Sequence, residues 1–171
     1  MRTIGVAIPI PEPYGSELQN WREHFGDPMA RSIPTHVTLL PPTDVPEEAL
    51  PEIEAHLRAI AAGADRFDIL LRGTGTFRPA SPVVFITLAE GISACEILER
   101  RVRSGPLRHR DLEFGYHPHV TVAHDIAEEA LSHAFEKLAQ YEARFSVWGF
   151  SLYEHGSDGV WRPAVDFSFG Q

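Results

Sequence analysis

"HVTLLPPTDVPEEAL" (His36–Leu50) and "HVTVAHDIAEEAL" (His119–Leu131) are two versions of one pattern. Each opens His-Val-Thr, takes an aliphatic residue next, and soon reaches Glu-Glu-Ala-Leu. The histidines are 83 residues apart and the Glu-Glu pairs 81; the following Arg-Phe pairs, Arg66-Phe67 and Arg144-Phe145, are 78 apart. One shared tetrapeptide is weak, but the same landmarks in the same order point to duplication. Residues 3–40 and 83–123 also share a strand-helix-strand pattern. The chain, 1–171, is therefore expected to be one domain of two related lobes, each with one His-x-Thr strand.

The remaining elements follow from periodicity. "RTIGVAIPI" alternates and is β-branched, as a strand should be. "SELQNWREHFGD" spaces Leu18, Trp21 and Phe25 for a helix, with Ser16 as the cap and Gly26 as the stop. "THVTLL" reads as a short strand closed by Pro41-Pro42. Leu50, Ile53, Leu57 and Ile60 share a helical face that starts near Pro51 and ends at Gly63. "RFDILLRGTGTF" and "PVVFITLAE" read as strands, and "ISACEILERRV" as a helix with Ile92, Leu98 and Val102 inward. "HPHVTVAH" is a strand, followed by a helix with Leu131, Phe135 and Leu138 inward. "RFSVWGFSLYEH" and "VWRPAVDFSFG" read as strands around the turn "GSDG". Adjacent strands imply antiparallel pairing, and the interspersed helices imply an α+β class.

Composition narrows the functions. The 171 residues suit one domain, 43% of them are hydrophobic, and prolines and glycines are scattered throughout. The lone Cys95 excludes an intramolecular disulfide and a cysteine zinc cage. The apolar run at the N-terminus is broken by Pro9, Pro11 and Pro13, and no window reaches the ~18 apolar residues of a membrane span, so a soluble, cytoplasmic protein is expected. A net charge of −9 argues against a broad nucleic-acid-binding face. The one arginine cluster, Arg100 to Arg110, fits a solvated helix end as well as a phosphate patch.

Residues i and i+2 of a strand point to the same face, ~6.6 Å apart. His36 and Thr38 therefore project together, as do His119 and Thr121. If the lobes face each other, two imidazoles and two hydroxyls converge on one cleft. That set suits in-line displacement at phosphorus. A neutral imidazole takes a proton from the attacking hydroxyl, and an imidazolium protonates the departing oxygen. The threonines donate to the non-bridging oxygens. An ordinary histidine pKa of about 6.5 leaves both forms accessible near neutrality.

"PTHVTLL" and "HPHVTVA", with "GTGTFRPASPVVFITL" between them, resemble the two-histidine (2H) phosphoesterase superfamily, in particular its 2′-5′ RNA ligase-like branch. That resemblance implies pseudo-twofold-symmetric antiparallel sheets flanked by helices, with His36, Thr38, His119 and Thr121 in the catalytic positions. It implies metal-independent cleavage of 2′,3′-cyclic phosphates or 2′-5′ phosphodiesters, on RNA ends or small nucleotides, with no cofactor. No obligatory protein partner is inferred.

Other residues are weaker candidates. Phe77, Tyr116, Tyr153 and Trp161 could stack a nucleobase, though core packing is the commoner fate of such rings. Arg78 and Arg162 could grip a phosphate, but could equally be plain surface charges. His117 shares a face with His119 and is expected at the cleft edge, while His124 points to the other face, which disfavours a metal site. His24, His56, His109, His133 and His155 read as surface residues. Two alternatives remain open: a nucleotide-binding module of the same fold without turnover, and a histidine-based metallohydrolase.

Overall fold

The computed structural model describes residues 1–108 and 115–170. The chain runs β1 (Arg2–Pro9), α1 (Tyr14–His24), β2 (His36–Val45), α2 (Leu50–Ala62), β3 (Phe67–Thr76), β4 (Val83–Glu90), α3 (Ile92–Val102), β5 (His119–His124), α4 (Glu128–Lys137), β6 (Glu142–Val147), β7 (Gly149–His155) and β8 (Trp161–Ser168). Two four-stranded antiparallel sheets result, in the orders β2-β1-β7-β8 and β5-β4-β3-β6. The fold is the expected α+β class.

The duplication survives at the level of register. In the first sheet Ala7 pairs with Thr38 and Pro9 with His36. In the second, Phe85 pairs with Thr121 and Thr87 with His119. Each His-x-Thr strand is thus the outer strand of its sheet, beside the strand that opens its lobe. The helices cross over: α1 packs on β5, and α3 packs on β2. One contiguous core joins Ile4, Ile8 and Leu39 of the first sheet to Ile86, Val120 and Val122 of the second.

Several local expectations need correction. Ser16 lies inside α1, where its backbone N–H donates to the Glu12 carboxylate, and the helix starts at Tyr14. Gly26 does end that helix, with φ of 86°. Strand β2 does not stop at Pro41-Pro42 but continues to Val45. The prolines are tolerated because β2 is an edge strand, where missing N–H donors cost little. Ile92 is 42% exposed, and Cys95 takes its place on the inward stripe of α3 with Leu98 and Val102. On α4, Ala134 is buried with Leu131 and Leu138, and Phe135 is only half-buried.

The largest departure is at "RFSVWGFSLYEH". It is not one strand: β6 ends at Val147, Trp148 is 57% exposed, and β7 begins at Gly149 in the other sheet. Inward positions run Ala143, Phe145, Val147 and then Phe150, Leu152, so the alternation slips by one residue at the crossing. The strand equivalent to β3 is therefore β7, and the matching Arg-Phe pairs are not counterparts. Instead β3 and β6 are neighbours, with Ile69 opposite Phe145.

Candidate phosphoesterase site

The two motif strands, β2 and β5, lie against each other, so the edges of the two sheets meet where the histidines sit. The Tyr116 hydroxyl, just before β5, donates to the backbone carbonyl of Thr38 across that seam, at 2.7 Å. Its ring packs against the core, which makes it a brace between the motifs. Burial raises the Tyr116 pKa, so this phenol remains a neutral donor.

Both imidazoles are half-buried and held in the same way. His36 Nδ1 lies 2.7 Å from the carbonyl oxygen of Pro34, and His119 Nδ1 lies 2.6 Å from that of His117. A carbonyl can only accept, so each Nδ1 carries the proton and donates. Each Nε2 is left as the basic nitrogen, with no partner among the described residues. The Thr38 and Thr121 hydroxyls likewise bond to no other described residue, whereas those of Thr35, Thr43, Thr74 and Thr76 are all engaged within the protein.

Burial sets the protonation state. It pushes His36 down to about 4, against the opposing bond to Pro34, and the charges of Arg22 and His119 lower it further. Burial also lowers His119, against the opposing bond to the His117 carbonyl, with the nearby His117 ring adding a smaller push down. Both rings are therefore neutral at pH 7 in the free protein, a departure from the ordinary value expected from sequence. Arg22 was not legible as a contributor. It lies four residues after Leu18 on the inward face of α1, and its Nε donates to the buried Asp27 carboxylate at 2.7 Å. The available signal was an arginine on an apolar stripe with an aspartate shortly after it.

The surroundings of the two histidines differ. A recess opens beside His36 and Thr38, floored by Gly5 and Ala7 and walled by Leu40, Tyr153 and Trp161. Trp161 lies over Gly5, close enough that a Cβ there would be in van der Waals contact with the ring. On the other side, His119 is flanked by Phe77 and Phe85, with ring centroids 4.9 and 5.2 Å away.

The other expected residues have different places. Arg78 bonds to Thr76, Glu128 and Ser132, and Arg162 forms a two-point pair with Asp158, so both have protein partners. His117 stands exposed at the rim, 5.9 Å from the His119 ring. His24, His133 and His155 are exposed, but His56 is half-buried and donates to the Val102 carbonyl at the end of α3. Within the arginine cluster Arg103 pairs with Glu99, while Arg100, Arg101 and Arg108 are exposed; His109 and Arg110 lie outside the described residues. Cys95 is fully buried, with its thiol pushed up to about 12. Among the described residues no three metal-ligating side chains come together, and no helix is long and apolar enough to cross a membrane.

The family model described as the 2′-5′ RNA ligase superfamily matches residues 10–159, including both motifs. The chain belongs to this superfamily. Among its superfamily relatives, a protein of Halalkalibacterium halodurans named as a phosphoesterase is 27% identical over 169 residues, covering 98% of this chain and 97% of the relative. One of Bacillus cytotoxicus, named in the same way, is 29% identical over 170 residues, with coverage of 98% and 97%. Among solved structures, TT0787 of Thermus thermophilus matches with a TM-score of 0.69 at 25% identity, over 100% of both chains. Escherichia coli LigT, solved with 3′-AMP, matches with a TM-score of 0.72 at 18% identity over 99% of both, a likeness of fold. Superfamily membership and the names of these relatives indicate a phosphoesterase.

Proposed function

We propose that this superfamily member is a metal-independent phosphodiesterase that cleaves 2′,3′-cyclic phosphate or 2′-5′-linked RNA ends or small nucleotides, with His36 and His119 as its acid-base pair. The observation that carries the reading is the matched state of the two rings: each Nδ1–H is spent on the carbonyl two residues back, and each Nε2 has no partner among the described residues. Two residues on in both motifs stands a hydroxyl with no partner among the described residues. That both relatives carry the name phosphoesterase, and that LigT was solved with a nucleotide, supports the same class.

The steps follow from the groups present. An anionic phosphodiester entering between two neutral imidazoles favours uptake of one proton, because a nearby opposite charge favours the charged form. The neutral Nε2 then takes a proton from water as its oxygen attacks phosphorus. The P–O bond to the ribose breaks in line, and the protonated Nε2 delivers its proton to the leaving oxygen. Thr38 and Thr121 donate to the two non-bridging oxygens as their charge grows. The whole chain acts as one bilobal unit in this reading, since each lobe supplies half of the acid-base set.

The test is kinetic. His36→Ala and His119→Ala should each lower turnover of a 2′,3′-cyclic nucleotide by roughly 10²–10⁴-fold. The double variant should lose much less than the product of the two factors, because the pair acts as a unit. Thr38→Val and Thr121→Val should stay folded and lose up to ~10²–10³-fold, the scale of one oxyanion donor. Dialysis against a strong chelator should leave the rate intact. A folded, fully active His36→Ala would overturn the two-histidine mechanism. Nucleotide binding without turnover by the unmodified protein would make it a binding module.

A further inference from the structure

The duplicated register permits a position-by-position comparison of the two halves of the site. Ala7 opposite Thr38 corresponds to Phe85 opposite Thr121. Ser151 opposite Ala7 corresponds to Gly75 opposite Phe85. Tyr153 opposite Gly5 corresponds to Phe77, whose backbone N–H bonds to Val83. The halves are alike in backbone and unlike in filling.

On the second sheet a Cβ at Gly75 would fall 2.6 Å from the Phe85 ring, so that ring lies directly on the sheet surface beside Thr121. Phe77 packs tilted against Phe85, with ring centroids 4.5 Å apart, and both touch the His119 ring. On the first sheet the position of Phe85 is held by the methyl group of Ala7, and the space left is the recess walled by Tyr153 and Trp161. Burial pushes the Tyr153 phenol up to about 12, which keeps that wall uncharged.

We propose that the site is one-sided: the open recess beside His36 offers its Trp161 wall to the single nucleoside of a 2′,3′-cyclic phosphate, which lies against it, and Phe85 with Phe77 excludes a second nucleoside on the His119 side. This rests on the phosphodiesterase reading above and narrows its substrate. In-line displacement puts the attacking and leaving oxygens on opposite sides of phosphorus. In a cyclic phosphate both ester oxygens belong to one ribose, so the far side needs to admit only water. A 2′-5′ diester is opened by its own 3′-hydroxyl: the attacking oxygen belongs to one ribose, the leaving 5′-oxygen to the other, and the reaction needs room for a nucleoside on both sides. The P–O bond to the ribose breaks, the water oxygen bonds to phosphorus, and a nucleoside monophosphate leaves with both protons accounted for by the histidine pair.

The experiment compares adenosine 2′,3′-cyclic phosphate, 2′-5′-linked ApA and glycerol 1,2-cyclic phosphate. The unmodified protein should prefer the cyclic nucleotide over 2′-5′ ApA by 100-fold or more in kcat/KM. Trp161→Ala should narrow the preference for the cyclic nucleotide over glycerol cyclic phosphate by roughly ten-fold or more, the scale of one stacking contact. Phe85→Ala should raise 2′-5′ ApA cleavage relative to the cyclic nucleotide. Phe77→Ala, at a half-buried position, does the same job if Phe85→Ala fails to fold. Comparable rates on both nucleotide substrates, with neither Phe variant changing the ratio, would overturn the one-sided site and leave the phosphodiesterase standing. Turnover of none of the three substrates would overturn the function and this inference together.

Discussion

At the residue scale, the proposed mechanism needs two histidines that are neutral until substrate arrives. Burial holds His36 near 4 and lowers His119 as well. Because kcat/KM reports the free protein, its pH optimum should lie below the ordinary histidine value of about 6.5. The profile of kcat reports the substrate complex, where the phosphate charge raises the pair, so its optimum should lie at higher pH. The limbs belong to the coupled pair rather than to either ring. Steady-state kinetics from pH 4 to 9 would check this, and a kcat/KM optimum at or above pH 7 would contradict it. The motif residues were legible because period two and duplication are both local signals. The partners of Arg78 were not, because Glu128 and Ser132 lie 50 and 54 residues away. Burial of the rings was illegible for the same reason: it comes from the meeting of two sheets.

At the scale of elements, hydrophobic period found the helices, and edge position explains the prolines that sequence alone took for a stop. The strand switch at Trp148 left a trace in the one-residue slip of alternation, but a continuous apolar run hid it. Gly149 is what makes the crossing possible. A Cβ there would fall 2.5 Å from the Phe167 carbonyl oxygen, and backbone offers little room to yield. Gly149→Ala should therefore destabilise the protein by about 1–3 kcal/mol, the usual cost of overpacking. Denaturant unfolding would measure it, and an unchanged midpoint would mean that β7 and β8 can separate freely. Tyr116→Phe probes the other junction. It removes one bond between the motifs, at about 1 kcal/mol, while leaving the ring packed.

At the scale of the whole molecule, the site and the fold are linked through protons. The unfolded chain binds a proton at His36 near pH 6.5, while the folded chain resists it down to about 4. Between those values the unfolded state holds more protons, so stability is fully present above pH 6.5 and falls as the pH drops toward 4. The depressed carboxylates do not confuse this window: Glu23, Glu90 and Asp158 start from ordinary values of 4.5, 4.5 and 3.8 and are lowered from there by Arg31, Arg144 and Arg162, so their losses come at more acid pH. Melting temperature should thus decline between pH 6.5 and 4.5, and His36→Asn should flatten that decline. Inorganic phosphate should reverse part of it, because the anion favours the charged rings and binds only the folded site. The stabilisation by phosphate should grow as pH falls through this range, as the protonated pair becomes the state the anion selects. Calorimetry in buffers of different ionisation enthalpy would count the protons taken up with phosphate. Phosphate binding without proton uptake at pH 7 would mean that the anion meets rings already charged, and that burial does not govern the pair.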